Sequence, residues 1–214
     1  MCEVGARLWE RGLVGATEGN ISARLGPNRI LCTPSGICKG KMRPEDLVVI
    51  DAEGEIVSGS ANTSIPQYPN TLPKPSSEIK LHLRILRRRP DCMAVVHAHP
   101  PIATGFSVAG IPIPDDLLPE SIYVLGSVAT AAFCMPGTDE VPDGLEPLLE
   151  RHKTFLLSHH GAATMGKDLW DACDRMETLE RVAKIILVAH LLGGAMPLPP
   201  DAIDQMARAL NGAL

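Results

Sequence analysis

The chain has no run of apolar residues long enough to cross a membrane, which would take about 20. Its longest apolar segment, 182–192, is interrupted by Lys184 and His190. The N-terminus contains acidic Glu3 and lacks the apolar stretch of a signal peptide, so we expect a soluble protein without a membrane partner. Neither charge dominates, because the formal net charge is -5 and the pI is near 5.8. A nucleic-acid partner is therefore not expected.

The sequence also lacks paired cysteines. Its 6 cysteines are scattered, and no two have the Cys-x-x-Cys spacing. This pattern predicts reduced thiols in a cytoplasmic protein rather than a disulfide framework. The chain has no internal repeat and no break in composition, so its 214 residues are expected to form a single domain, 1–214.

Strand and helix patterns alternate irregularly along the chain. Hairpin turns such as 51–54 separate some of the strands, whereas helical patterns separate others. This arrangement predicts an α/β protein with a mixed, largely antiparallel sheet that is covered by helices. Within 117–133 we expect two short strands around Gly126. The segment 58–75 is rich in Ser, Asn, Thr and Pro and is expected to form a loop.

Two histidines follow a short buried strand pattern near the middle of the chain. Residues 93–96 are apolar and partly β-branched, and His97 and His99 come directly after them. Side chains two apart on a strand point to the same face. Two imidazoles placed in this way can bind one divalent metal ion through neutral ring nitrogens. The alternative is a pair of partly buried histidines that bond to backbone or solvent.

A second pair, His159 and His160, ends another predicted strand, 154–158, and precedes Gly161, where backbone can approach closely. Adjacent residues on a strand face opposite ways, so at most one of the two can readily join the first pair. Three histidines would give a metal site with an open coordination position. The alternative is a capped strand end with an exposed histidine pair.

Glu78 is the candidate carboxylate, in the first turn of a helix that Ser76 or Ser77 is predicted to cap. A carboxylate there can bind a metal or accept a proton, but it can also simply interact with the helix dipole. His82 lies four residues further on, on the same helix face, and is a rival ligand. The spacing does not choose between Glu78 and His82.

Small polar turn residues form a candidate anion site. They occur in three pairs: Gly19-Asn20, Ser35-Gly36 and Ser76-Ser77. Backbone N–H groups and hydroxyls at such turns bind phosphate without basic side chains. Taken singly, each pair is also typical of an ordinary turn or helix cap.

Six short motifs together resemble the class II aldolase/adducin family. In the family's order, they are Gly19-Asn20-Ile21-Ser22, Thr33-Pro34-Ser35-Gly36, Pro75-Ser76-Ser77-Glu78, Val96-His97-Ala98-His99, Pro136-Gly137-Thr138 and His159-His160-Gly161. The resemblance implies a three-layer α/β/α fold with a mixed, mostly antiparallel central sheet. It also implies a homotetramer with active sites at subunit interfaces, and a Zn2+ cofactor or another divalent metal such as Mn2+, Co2+ or Fe2+.

The same resemblance implies specific roles. His97, His99 and His160 would be metal ligands, and Glu78 would be both a ligand and the acid/base. The substrate phosphate would lie among Gly19, Asn20, Ser35, Gly36, Ser76 and Ser77. The implied activity is that of a metal-dependent lyase, which cleaves a small phosphorylated keto-sugar by an aldol reaction through a metal-stabilised enediolate. No Schiff-base lysine is needed.

The segment 118–123 departs from the aldolase pattern, in which an aromatic acid stands between the two histidine motifs. Glu120 lies about where a dehydratase of the family, which acts on methylthioribulose 1-phosphate, carries a glutamate base. Glu120 is therefore a second candidate catalytic residue, although a solvated loop carboxylate would look the same. The alternative activities are a sugar-phosphate dehydratase and, in another class, a non-enzymatic adducin-like module.

Overall fold

The computed structural model describes residues 1–57 and 74–212, so the loop expected over 58–75 lies almost wholly outside the described residues. The strands are β1 (Asn20–Gly26), β2 (Arg29–Cys32), β3 (Val48–Ile50), β4 (Ala94–Ala98), β5 (Val128–Ala131), β6 (Thr154–Leu157) and β7 (Gly161–Gly166). The α-helices are α1 (Cys2–Glu10), α2 (Ile79–Arg88), α3 (Pro101–Ala109), α4 (Glu140–Leu145), α5 (Leu169–Leu191) and α6 (Pro200–Gly212).

The strands form one sheet in the order β3-β2-β1-β4-β7-β6-β5. Neighbouring strands are antiparallel, except that β5 and β6 are parallel. The predicted mixed, mostly antiparallel sheet is therefore confirmed. The histidine-bearing strand β4 lies in the middle, with β1 on one side and β7 on the other.

Helices cover both faces of the sheet, which confirms the predicted three layers. Helices α1, α3 and α5 share one apolar cluster with Val96 of β4, and we call this side the α5 face. Helices α2 and α4 share a second cluster with Val95, and we call this side the α2 face. Successive residues of β4 thus point into different layers, as the pleat requires. No helix within the described ranges has both the length and the apolar content to cross a membrane.

The strand register places a row of site residues across the centre of the sheet. Asn20 of β1 is paired with His97 of β4, and His97 is paired with Ala163 of β7. Paired residues of antiparallel strands project to the same face. Because His97 is two residues from Val95, this row faces α2, whose first turn begins just after Glu78.

The segment 117–133 differs from its prediction. A short π-type helical turn, Ser121–Leu125, precedes a single strand, β5, so the expectation of two strands around Gly126 was wrong. Ser121 and Leu125 are the buried ends of the turn. Their separation of four residues is a helical spacing, which outweighs the β-branched character of the residues between them.

Candidate metal centre

Three histidines converge at the ends of neighbouring sheet elements. His97 is the second-last residue of β4, His99 follows that strand, and His160 lies in the turn from β6 to β7. Ligand atoms of the three rings all lie within 4.8 Å of one another. The sequence motifs on two distant segments thus meet at one point, with His97 and His99 on one face as the alternation predicted.

The second histidine pair lies in a turn rather than on a strand. β6 ends at Leu157 and β7 begins at Gly161, so strand alternation does not apply to the residues between them. His159 has a φ of 55°, in the left-handed region. Its ring is exposed and approaches Phe133 at a centroid distance of 6.2 Å. This backbone turn directs His160, and not His159, toward the other two rings.

Gly161 allows this close approach. A Cβ atom at this position would lie 2.5 Å from the carbonyl oxygen of Ala98 and 2.7 Å from Cδ2 of His99. Both distances are far below van der Waals contact, so any larger residue would push the two histidine segments apart. The spacing of the histidines therefore depends on a glycine here.

Glu78 joins the three histidines. It occupies the position before the first residue of α2, so the helix starts later than expected. The backbone N–H of Glu78 donates a hydrogen bond to the Ser76 hydroxyl at 3.3 Å. Oε1 of Glu78 is 2.9 Å from Nε2 of His160, and Oε2 is 3.3 Å from Nε2 of His97. The side-chain N–H of Asn20 donates to Oε2 at 3.0 Å. The carboxylate is thereby fixed between two rings.

The electrostatics favour a charged Glu78 carboxylate and a neutral His99 imidazole. Burial alone would raise the pKa of Glu78, but the ring nitrogens of His160 and His97 lower it to well below its usual range. Burial, together with the neighbouring His97, lowers the pKa of His99 to about 4. His99 is therefore neutral near pH 7, which is the form that binds a metal.

The protonation pattern of these rings fits a bound cation. Nδ1 of His97 lies 2.9 Å from the carbonyl oxygen of Ala162, which only accepts, so this nitrogen carries the proton. In a neutral ring, Nε2 of His97 is then a lone-pair atom, yet it lies 3.1 Å from Nε2 of His99 and near Glu78 Oε2. Lone pairs that face one another in this way are favourable with a positive ion between them.

His82, the rival ligand, does not reach this group. It is fully buried on α2, and its Nδ1 lies 2.7 Å from the hydroxyl of Ser22. Burial, with a smaller effect from His97, lowers the pKa of His82 to about 3, so the ring is neutral. Its Nε2 has no hydrogen-bond partner among the described residues.

The three pairs proposed for phosphate meet around the start of α2. Asn20 donates to the Ser76 hydroxyl at 3.2 Å. The Ser35 N–H donates to the carbonyl of Lys74 at 2.8 Å, and Pro34 and Pro75 form an isolated antiparallel β-bridge, which places the Ser35-Gly36 turn beside the segment that leads into Ser76 and Ser77. Gly19 and Gly36 have φ values of 72° and 75°, which favour glycine.

Glu120 is not brought to the histidines. It is exposed and precedes the turn Ser121–Leu125, which packs against α5 and α6. No contact between Glu120 and the three histidines occurs within the described ranges.

Two residues near the centre were missed by the sequence reasoning. Oε2 of Glu18 lies 3.3 Å from Nδ1 of His99. Lys39 is 2% exposed, and its Nζ donates to the carbonyls of Thr17 at 2.9 Å and Ile37 at 2.7 Å. Glu18 stands next to the Gly19-Asn20 motif, but nothing in the local pattern predicts that its turn folds back onto His99.

Comparisons with known proteins identify the family. The family model described as "Class II Aldolase and Adducin N-terminal domain" matches residues 1–187. A 3-oxo-tetronate 4-phosphate decarboxylase of Pectobacterium atrosepticum is 35% identical over 192 residues, which cover 88% of this chain and 82% of the relative. A methylthioribulose-1-phosphate dehydratase of Methylococcus capsulatus is 36% identical over 193 residues, covering 84% and 87%.

The fold comparison agrees. The crystal structure of an L-fuculose-1-phosphate aldolase from Thermus thermophilus matches with a TM-score of 0.75 and 32% identity, covering 92% of this chain and 95% of the other. The chain belongs to the class II aldolase/adducin family, as its motifs indicated. Its named relatives are enzymes, and the protein is an enzyme of the class II aldolase family rather than a non-enzymatic module.

Proposed function

We propose that the protein is a divalent-metal-dependent lyase, which breaks a carbon–carbon bond beside the carbonyl group of a small phosphorylated keto compound. One observation carries the proposal: the Glu78 carboxylate is held between the His160 and His97 rings, within a group of three ring nitrogens. This group combines a metal-ligand set with a carboxylate that can move a proton.

The residues that would hold the metal are His97, His99 and His160, through ring nitrogens, and Glu78. Neutral imidazoles with one carboxylate suit Zn2+, and they also suit Mn2+, Co2+ or Fe2+. When bound, such an ion stabilises the negative charge that develops on a carbonyl oxygen during bond cleavage.

The chain's own residues would bind the substrate and move its proton. The turns that contain Gly19, Asn20, Ser35, Gly36, Ser76 and Ser77 would bind the phosphate through backbone N–H groups and hydroxyls. Glu78 would take a proton from a substrate hydroxyl, or from solvent, and deliver it to the carbon from which a bond has broken. The Asn20 amide would keep the carboxylate oriented for this transfer.

Two carbon–carbon cleavages meet these requirements. In aldol cleavage of a ketose 1-phosphate, a hydroxyl loses its proton, an aldehyde leaves, and the electron pair stays beside the carbonyl. In decarboxylation of 3-oxo-tetronate 4-phosphate, CO2 leaves and the electron pair stays on the equivalent carbon. Protonation then gives dihydroxyacetone phosphate in both cases. The relative from Pectobacterium atrosepticum favours decarboxylation, and the aldolase structure favours aldol cleavage.

Dehydration is the alternative, because the relative from Methylococcus capsulatus is named a dehydratase. Removing water from methylthioribulose 1-phosphate keeps all the carbon atoms together, so no dihydroxyacetone phosphate is released. Glu120 would be the additional base in that reaction. The exposed position of Glu120 gives this alternative no support within one copy of the chain.

These reactions can be separated by their products. The metal-loaded protein is incubated with L-fuculose 1-phosphate, 3-oxo-tetronate 4-phosphate or methylthioribulose 1-phosphate, and chelated protein serves as the control. We expect dihydroxyacetone phosphate from one of the first two, accompanied by an aldehyde or by CO2. Water elimination from the third compound, or turnover that survives complete chelation, would contradict the proposal.

We also propose that the protein is a homo-oligomer, with the tetramer as the family's implied form. Apolar side chains are exposed beside a groove of about 400 Å³ between α3 and α5, among them Ile111 and Leu187. Contiguous exposed apolar surface of this kind is typical of subunit contacts. Sedimentation equilibrium measures the assembly, and a monomer would contradict this proposal.

A further inference from the structure

Glu18 lies in the turn that connects the end of α1 to β1. The Gly15 N–H donates to its Oε1, whereas its Oε2 lies 3.3 Å from Nδ1 of His99. The Glu18 side chain is 41% exposed and the His99 side chain 24%. One carboxylate oxygen is thus used to fix the turn, and the other faces a histidine ring.

The rings of His97 and His99 are oriented in the same way. In each ring Nε2 points toward the other ring, at 3.1 Å, while Nδ1 points away toward an oxygen atom. For His97 that oxygen is the backbone carbonyl of Ala162. For His99 it is an oxygen of the Glu18 carboxylate, and a carboxylate accepts hydrogen bonds more strongly than a backbone carbonyl does.

Lys39 fixes the position of the Glu18 turn. Its buried Nζ bonds the carbonyl of Thr17, the residue before Glu18, and also the carbonyl of Ile37. The turn therefore has a link to the body of the protein in addition to its chain connections. Glu18 is consequently presented to His99 by a fixed backbone and not by a freely moving loop.

We propose that Glu18 is the positioning residue of His99: it accepts the Nδ1 proton of His99 and so holds Nε2 as the lone-pair atom for the metal ion. This inference rests on the proposed function, because it requires the three histidines to bind a metal. A carboxylate behind a ligating imidazole fixes the ring's orientation and raises its basicity, and its loss typically weakens metal binding about 10–100-fold.

The test measures metal affinity and does not depend on knowing the substrate. The wild type, E18A, E18Q and H97A are stripped of metal and titrated with Zn2+ in competition with a chromophoric chelator. E53A is the matched control, because Glu53 is an exposed carboxylate in the 51–54 turn. The thermal unfolding of each metal-free protein is recorded alongside.

We expect E18A to bind Zn2+ about 10–100-fold more weakly than E53A, which should equal the wild type. E18Q keeps an oxygen acceptor but loses the charge. We therefore expect its Zn2+ affinity to fall less than that of E18A, but still by about threefold or more. If E18A also lowers the metal-free unfolding temperature, the result for E18Q is decisive. Weakened Zn2+ binding by E18Q at wild-type stability supports the proposal, whereas Zn2+ binding by E18Q with wild-type affinity overturns it.

The control with H97A separates the two proposals. If E18A and E18Q bind Zn2+ as tightly as E53A while H97A does not, then Glu18 has no such role and the metal centre stands. If the wild type itself binds no Zn2+, the metal centre and the role of Glu18 are both overturned.

Discussion

The two faces of the central strand β4 differ in what they bury. On the α5 face, Val96 and Ala98 pack into a largely apolar cluster with residues of α5 such as Leu179. On the α2 face, His97 follows Val95 into a layer that also buries His82. Both faces of this five-residue strand therefore pack apolar side chains, but only the α2 face of the strand also carries a histidine of the candidate centre.

The polar groups of the α2 face are not all satisfied. His97 and His82 each use Nδ1 in a hydrogen bond, to Ala162 and Ser22 respectively. Oδ1 of Asn20 and Nε2 of His82, however, are buried without a partner among the described residues. A buried polar atom left unpaired costs about 1–3 kcal/mol of folding free energy. We therefore expect these two atoms of the α2 face to lower the stability of the fold. The comparison teaches that apolar packing stabilises both faces, whereas the chemistry is built on the α2 face alone.

The largest expected effect lies on the α2 face. Replacing Glu78 with Gln removes the charge and the proton-accepting oxygen while preserving shape. We expect turnover to fall about 100-fold or more, as loss of a general base does, with the fold retained. Steady-state kinetics on the substrate found by the product assay measures this, with Glu53→Gln as the control. A Glu78→Gln enzyme with turnover close to that of the control would remove Glu78 from the chemistry.

The α5 face should give the opposite result. Leu179 is 0% exposed in α5, so Leu179→Ala leaves a cavity in the apolar cluster. We expect the free energy of unfolding to fall by about 2–5 kcal/mol. Chemical denaturation measures this loss, while turnover per folded molecule should stay at the wild-type value. A large change in turnover at unchanged stability would show that the two faces are not separated.

Lys39 gives a smaller effect and is an exception to the comparison, because it is a buried charge near Ile37 and Met42 of the apolar α5 face. Burial lowers the pKa of Lys39 from 10.5 to about 8. Between these pH values the unfolded chain holds a proton that the folded chain has lost, so this group makes folding more favourable as pH rises.

The Lys39→Met variant has no ionisable group at this position, so its stability lacks this pH dependence. Relative to the variant, the wild type should gain about 2 kcal/mol of unfolding free energy between about pH 7 and pH 9.5. Denaturation curves of both proteins at the two pH values measure the change in their difference, in which groups common to both cancel. A difference that does not vary with pH would mean that Lys39 titrates as an ordinary exposed lysine.

Much of the fold and of the centre could be predicted from the sequence because the signals are local. Alternation along β4 places His97 and His99 together, and Gly161 marks a close approach beside His160. At most one of His159 and His160 was expected to join the first pair, and only His160 does, although a turn and not a strand carries the two residues. The contacts made by Glu18 could not be predicted, because they depend on how a turn folds back onto a distant segment.

The position of β4 has a consequence for how an ion would enter and leave. A strand with neighbours on both sides cannot fray from an edge, so the backbone beneath His97 opens only when the sheet itself does. Glu78 stands instead at a helix terminus, where backbone rearrangement is far easier. Of the residues that would hold an ion, Glu78 would therefore be easier to displace than His97, whose backbone is held in the centre of the sheet.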